Sequence, residues 1–247
     1  MPESPRVVVT RRVEQVALFG DKLRAADFHP VIFPTIQLQA LPAPDLDRAL
    51  AQIERFDWLL FSSANAVSFF FRRLHALKLS PRLPRTAVVG SATARKLAAY
   101  NIQPDFMPDS FTGEAMAAGL GNLNGQNILL PRARLGRPQI VARLRSQGAQ
   151  ITDIPLYDTV TAVPDPAALE ELALGYEAIT FASPSSVHGF LEIRGKPISS
   201  AVVACIGPVT AEAAVECGLP VPLMPDEYTL DGLVQLLTHY FGERKDA

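Results

Sequence analysis

The stretch Phe56-Asp57-Trp58-Leu59-Leu60-Phe61-Ser62-Ser63 returns 120 residues further on as Tyr176-Glu177-Ala178-Ile179-Thr180-Phe181-Ala182-Ser183. In both copies an aromatic and an acidic residue lead into a short, mostly apolar run that closes on small hydroxyl side chains. A run of this length without regular polar alternation marks a parallel strand covered on both faces. Three more pairs follow in the same order. Arg6-Val7-Val8-Val9-Thr10-Arg11-Arg12 matches Asn127-Ile128-Leu129-Leu130-Pro131-Arg132-Ala133, and the strand-to-turn stretch Thr86 to Ala94 matches Val202 to Ala211. Last, Asp109-Ser110-Phe111-Thr112-Gly113-Glu114 matches Asp226-Glu227-Tyr228-Thr229-Leu230-Asp231. The chain therefore reads as two copies of one series of βα units.

Between the strand runs lie segments of helical spacing, such as Ala64 to Leu77 and Pro138 to Gln147. Alternation of this kind predicts two similar, doubly wound α/β domains with parallel sheets, of the flavodoxin-like type. The 247 residues suit two units of about 120 each. Hydrophobic residues at 48% and charged residues at 19% describe a globular chain. No apolar run approaches the roughly 20 residues that span a bilayer. The start, Met1-Pro2-Glu3-Ser4-Pro5-Arg6, lacks a basic-then-apolar signal pattern, and Cys205 and Cys217 do not make a disulfide framework. The expectation is a cytoplasmic protein whose cysteines are reduced packing residues.

In parallel sheets the carboxyl ends of the strands face the ligand crevice, where unpaired N–H groups of helix starts attract anions. The repeat places its small polar residues at those turns: Ser62-Ser63-Ala64-Asn65, Gly90-Ser91-Ala92-Thr93, Ser183-Pro184-Ser185-Ser186 and Gly207-Pro208-Val209-Thr210. Pro184 and Pro208 suit a first helical position. Helix capping accounts for most of the hydroxyls. It does not account for glycine at both 90 and 207, where a missing side chain opens the backbone to a ligand.

Two proline-bearing stretches occupy equivalent places in the copies, Pro34 to Pro44 and Pro155 to Pro166. Their alternating or β-branched centres predict two strands side by side, a hinge where the chain crosses between domains. A cut near residue 122 then separates the repeats but not the physical domains.

The net charge of −2 conceals a division. Residues 58–152 hold twelve Lys or Arg against Asp105, Asp109 and Glu114, a balance of +9, so the remainder carries −11. Arg outnumbers Lys 18 to 5, and arginine suits two-pronged binding of carboxylate or phosphate. Solvation of helix faces explains a single arginine; the asymmetry as a whole points to a polyanionic partner, either nucleic acid or a small multi-carboxylate molecule. An RNA-binding aromatic motif is lacking, and Phe69-Phe70-Phe71 falls in a helix pattern that suits core packing.

His29, His75, His188 and His239 are scattered, and neither HxxxH nor CxxC occurs. GxGxxG, GxxxxGK[ST] and GxSxG are absent too. The motifs thus indicate neither a metal nor a cofactor.

Taken together, Val9-Thr10-Arg11, Phe61-Ser62-Ser63-Ala64-Asn65-Ala66-Val67, Val89-Gly90-Ser91-Ala92-Thr93-Ala94, Pro155-Leu156-Tyr157-Asp158-Thr159, Phe181-Ala182-Ser183-Pro184-Ser185 and Ile206-Gly207-Pro208-Val209-Thr210-Ala211 resemble the uroporphyrinogen-III synthase family. The resemblance covers nearly the whole chain. Arg12 stands where many members have proline and Val209 where many have threonine, which leaves Thr210 the only hydroxyl of its turn.

The resemblance implies a discontinuous first domain of residues 1–38 and 161–247, a second of residues 42–156, and connectors at 39–41 and 157–160. It implies cyclisation of hydroxymethylbilane to uroporphyrinogen III with loss of water and inversion of ring D through a spiro intermediate, no cofactor, a monomer, and a transient contact with the preceding deaminase. The charge division suits this substrate of eight carboxylates. Residues 42–156 hold fourteen Lys or Arg against eight acids, a balance of +6, leaving −8 for the other domain. Loss of the hydroxyl needs a proton donor, and a phenol is protonated at neutral pH. Tyr157, which matches the family tyrosine in its motif, is the candidate catalytic residue; packing of the hinge is its other reading. Substrate binding is assigned to Ser63, Gly90, Ser91, Thr93, Ser183, Ser185, Gly207 and Thr210 at helix starts, with Arg11 and Arg132 as carboxylate partners at equivalent turns. A non-catalytic, two-lobed binder of a small polyanion is the competing class, and nucleic-acid binding by the basic segment a third.

Overall fold

The repeated stretch forms β4 (Trp58–Phe61) and β8 (Ala178–Phe181), and every residue of both strands is buried. The computed structural model describes residues 4–110, 113–136, 138–197, 200–220 and 222–243. Phe111 and Thr112 of the fourth repeat match, and residues 1–3 of the amino-terminal reading, lie outside the described residues. The chain folds as two compact units, Met1–Gln37 with Thr159–Ala247, and Leu38–Asp158.

The first unit holds β1 (Arg6–Val9), α1 (Val13–Ala25) and β2 (His29–Ile32). After the second unit it continues with α7 (Pro166–Ala173), β8, α8 (Pro184–Arg194), β9 (Val202–Cys205), α9 (Pro208–Glu216) and α10 (Leu230–Glu243). Its sheet runs β2-β1-β8-β9, with every pair parallel. The second unit holds α2 (Pro44–Leu50), β4, α3 (Ala64–Ala76), β5 (Arg85–Val88), α4 (Ser91–Ala98), α5 (Gly113–Gly119), β6 (Asn127–Ala133) and α6 (Pro138–Ser146). Two strands, β3 (Ile36–Ala40) and β7 (Gln150–Thr161), carry the chain across the boundary between units. The sheet order is β3-β7-β6-β4-β5.

Once β6 is equated with β1, β7 with β2, β4 with β8 and β5 with β9, the four-strand orders are the same, and the second unit's sheet adds β3 beside β7. The repeat read from sequence is therefore a repeat of topology. It extends to an extra parallel bridge beyond each edge, Ala87 with Phe106 and Ala204 with Leu223. In both units the order reverses between the first strands of the two βαβ halves, between β4 and β6 and between β8 and β1. These are the switch points where open α/β sheets take ligands.

Strand alternation gives each sheet two cores. In the second unit Leu59 and Phe61 pack with Phe70 and Leu97 on one face, while Trp58 and Leu60 meet Met116 and Leu144 on the other. In the first unit Val8, Ile179 and Phe181 pack with Val187 and Phe190, while Val7 and Val9 meet Phe19, Leu23 and Leu237. Full burial of such side chains is worth about 1.5–3 kcal/mol each.

The proline-bearing connectors are neighbours in the sheet as β3 and β7. Leu41 N–H donates to the Leu156 carbonyl and Ala162 N–H to the Thr35 carbonyl. Pairing 41 with 156 and 35 with 162 makes the two stretches antiparallel.

Candidate functional site

The serines, threonines and glycines assigned to binding lie where the chain passes from β4, β5, β8 and β9 into α3, α4, α8 and α9. In the second unit the chain leaves β4 and enters α3 at Ser63, whose backbone is extended and whose Oγ accepts the Ala66 N–H at 3.1 Å. The same oxygen lies 3.0 Å from the Tyr157 hydroxyl on β7. The Tyr157 ring is buried at 4% exposure and stacks on Phe69, with centroids 4.7 Å apart and planes inclined by 12°. The Arg72 guanidinium sits 4.4 Å from the Phe69 centroid, and since Tyr157 fills one face of that ring, Arg72 takes the other. The phenol is thus held by core packing while its oxygen is tied to a helix start.

The equivalent start in the first unit shows what capping alone looks like. Ser183 and Ser186 form a reciprocal capping box, with Ser186 N–H donating to Ser183 Oγ at 3.2 Å and Ser183 N–H to Ser186 Oγ at 3.3 Å. Ser183 Oγ also lies 3.0 Å from Ser185 Oγ. The hydroxyl partner of the cap is here a serine of the same helix, whereas in the second unit it is a phenol from β7.

The two glycine turns differ in cause. Gly90 has φ 85° and ψ 151°, a region essentially reserved for glycine, and it passes the chain into α4. Gly207 is extended, at φ −178°, so its conformation does not call for glycine. A Cβ there would stand 3.2 Å from Tyr228 Cγ. The space expected to admit a ligand at Gly207 is taken by the Tyr228 ring. Of the hydroxyls in these turns, Ser91 is exposed, but Thr93 and Thr210 are buried at 3% and 4%. Both threonine side chains are therefore withdrawn from the surface.

The strand-end arginines also part company. Arg132 Nε and Nη2 donate to the two carboxylate oxygens of Asp153 at 2.6 and 2.7 Å. That pairing raises the Arg132 pKa against an opposing effect of burial. Its remaining Nη1 is buried without a partner. Two donors of Arg132, expected as a carboxylate partner of the substrate, are engaged by Asp153 of β7, which matches its charge within the protein. Arg11 Nε is buried with no hydrogen-bond acceptor, and among the described residues Arg11 makes no ion pair. Desolvation first, and the neighbouring Arg12 second, lower its pKa.

One network was not signalled by any motif. Thr180 Oγ1 donates to the Val8 carbonyl at 2.7 Å and Thr10 Oγ1 to the Thr180 carbonyl at 2.7 Å. Thr35 Oγ1 reaches the carbonyls of both Thr10 and Ser186, at 3.2 and 3.0 Å. These buried hydroxyls lock β1, β8, α8 and the end of β2 to one another beneath the first unit's edge. Gly189 belongs to the same contact, since a Cβ there would come 2.4 Å from the Thr35 carbonyl oxygen. The sequence signal, a polar residue inside an otherwise apolar run at Thr180, is legible only once the neighbouring strand is known.

A cavity of about 580 Å³ lies away from these turns, lined by Phe71, Leu74, Leu83, Tyr100 and Asp105 near the start of β5. It is mostly apolar and lies at the opposite end of the strands from the hydroxyl-bearing starts, so size does not make it the site.

A model of the family described as uroporphyrinogen-III synthase HemD matches residues 18–235. A uroporphyrinogen-III synthase of Synechococcus elongatus is 34% identical over 246 residues, covering 92% of each chain. A porphyrin biosynthesis protein HemD of Ruminiclostridium josui is 30% identical, with 96% of this chain matching 49% of that protein. Among solved structures, uroporphyrinogen-III synthetase from Helicobacter pylori has a TM-score of 0.68 at 18% identity, covering 96% of this chain and 99% of that one. A mutant uroporphyrinogen III synthase from Thermus thermophilus has a TM-score of 0.62 at 20% identity, covering 98% and 100%.

Proposed function

The chain belongs to the uroporphyrinogen-III synthase family, and on that premise we propose how its own residues serve the cyclisation of hydroxymethylbilane to uroporphyrinogen III. Hydroxymethylbilane closes unaided without inverting ring D, so the enzyme has to select a geometry and to assist the departure of one hydroxyl. The C–O bond of the hydroxymethyl group breaks, and the oxygen leaves as water once it has taken a proton. The cation left on the carbon is shared with the pyrrole. It is attacked by the substituted carbon of ring D, and the spiro intermediate reopens and closes with inversion. A proton lost from carbon at closure balances the one supplied at the start.

Tyr157 supplies that first proton. The observation that carries this reading is the Tyr157 hydroxyl at 3.0 Å from Ser63 Oγ. Ser63 Oγ accepts the Ala66 N–H, which leaves its own proton to point at the phenol oxygen. Tyr157 then has its proton free for the substrate, and Ser63 supports the negative charge that develops on the phenol oxygen as the proton leaves. Stacking on Phe69 fixes the ring throughout. Ser91 and the backbone at Gly90 offer binding groups in the second unit, and Ser183 and Ser185 do so in the first. The Thr93 and Thr210 amides donate to the Gly90 and Gly207 carbonyls at 3.0 and 3.1 Å, so these threonines serve binding by fixing the helix starts, and Gly207 takes part through its backbone.

The test is Tyr157→Phe, which removes one oxygen and keeps the ring. Turnover of freshly generated hydroxymethylbilane falls about 10²-fold, the typical scale of general acid catalysis, while residual enzymatic product stays type III. Unchanged turnover removes Tyr157 from the role. The protein is further proposed to act in the cytoplasm as a monomer, taking its substrate through transient contact with the preceding deaminase; two cysteines without a disulfide support the reducing compartment.

A further inference from the structure

The two copies of the fold supply an internal comparison that isolates one residue. Arg11 and Arg132 stand at the same repeat position, each two residues beyond a buried core residue, Val9 and Leu130 respectively. In the second unit the register sets Leu130 opposite Asp153, and Asp153 closes on Arg132 through both carboxylate oxygens. In the first unit the corresponding register sets Val9 opposite Ile32. The position of the neutralising acid is filled by an isoleucine that packs in the same core as Val9. Arg12 does have a nearby acid, Glu14 at 3.7 Å, and Arg11 has none among the described residues.

A guanidinium partly withdrawn from water without a counter-charge is unfavourable, and the arrival of a carboxylate relieves that penalty. We propose that Arg11 is the specificity-determining receptor for one carboxylate of the substrate, and that Arg132 has become a strut between β6 and β7 through the acid that Arg11 lacks. The inference rests on the synthase reading for the identity of the ligand, a molecule of eight carboxylates, but not for its chemistry. Any acetate or propionate side chain presents the planar, bidentate group that a guanidinium fork matches. It also reverses a simple reading of the charge map, for Arg11 lies in the unit with the acidic balance.

Arg11→Gln and Arg11→Lys decide the matter through two readouts. Calorimetric titration with uroporphyrin, a stable octacarboxylate, needs no turnover; affinity falls about tenfold or more in Arg11→Gln and recovers only in part in Arg11→Lys, which restores the charge without the fork. With hydroxymethylbilane, KM rises by a similar factor in Arg11→Gln while kcat stays within about threefold. The melting temperature does not fall, because the glutamine removes an uncompensated charge. Uroporphyrin affinity within twofold of the parent protein overturns the proposal, and so does loss of the fold in Arg11→Gln, which assigns the arginine a structural role. Failure of the synthase reading is separately visible as wholly type I product from the parent protein, with the uroporphyrin titration unaffected.

Discussion

Tyr157 and Ser63 meet across β7 and the start of α3, with 3.0 Å between their hydroxyl oxygens, and the serine is simultaneously the N-cap of α3. One oxygen thereby links the proposed proton donor to the stability of a helix. The link separates two effects that a single substitution would mix. Ser63→Ala should cost about 1 kcal/mol of stability as a lost cap, measured by urea unfolding. Its further effect on turnover should be smaller than that of Tyr157→Phe and should vanish in the Tyr157→Phe background, because the serine acts through the phenol. Additive losses in the double variant would contradict this.

Asp153→Asn leaves Arg132 without its counter-charge in a mostly buried setting, with side-chain exposures of 15% and 21% for the pair. Breaking a fully buried pair costs about 3–5 kcal/mol; with this residual exposure about 1–3 kcal/mol is expected. Chemical denaturation measures it directly. A change below about 0.5 kcal/mol, the usual range of surface substitutions, would show that the pair is not a strut.

The glycine turns should respond unequally. Gly90→Ala forces a side chain into φ 85°, at a cost of about 1–3 kcal/mol. Gly207→Ala meets only the exposed Tyr228 ring, at 3.2 Å, on an extended backbone, and should cost less than about 1 kcal/mol. Thermal unfolding of the two variants side by side tests the order, and the reverse order would be inconsistent with these backbone conformations.

The two thiols should separate kinetically. Burial pushes the Cys205 thiol up to about 12, so it is neither exposed nor ionised near neutrality. Cys217 is half-buried, with Sγ 3.4 Å from His188 Nδ1. A disulfide reagent at pH 8 should modify one thiol in the native protein and a second only after unfolding. Cys217→Ser should abolish the native phase.

Acid should weaken one inter-helix tie. The hydrogen bond from Arg73 holds the Asp47 carboxyl below the usual range, against burial, which raises it, and with help from the Arg73 charge. Because the folded pKa lies below the unfolded one, the contribution is fully present above the unfolded value near ~4 and is lost as pH falls through the folded value. The stability difference between the parent protein and Asp47→Asn should therefore shrink as pH drops from about 5 to below 3. Both partners are half-buried with their charges still reached by water, and screening keeps the effect small.

Much of the architecture was legible because the chain states it twice. The match of Phe56–Ser63 with Tyr176–Ser183 located β4 and β8, and the paired proline-bearing stretches located β3 and β7. Turn chemistry was also legible where a single residue type has one strong local use, as at Ser63, Ser183 and Gly90. What was not legible depended on partners brought in by the fold. Nothing near Arg132 in sequence announces Asp153, which reaches it only through parallel registry across a βαβ crossover. The inward turn of Thr93 and Thr210 follows from helix phase relative to the sheet. Tyr228 fills the space at Gly207 from a segment 21 residues later. The same limit hid the Thr10, Thr35 and Thr180 network, whose members are scattered along the chain.

This chain directs ring inversion during closure, and the isomer composition of the product reports on that step. Hydroxymethylbilane generated in situ and converted in the presence of the purified protein should yield predominantly uroporphyrinogen III, against type I without protein. Product that remains wholly type I, from protein shown to be folded, would show that the chain does not direct the inversion.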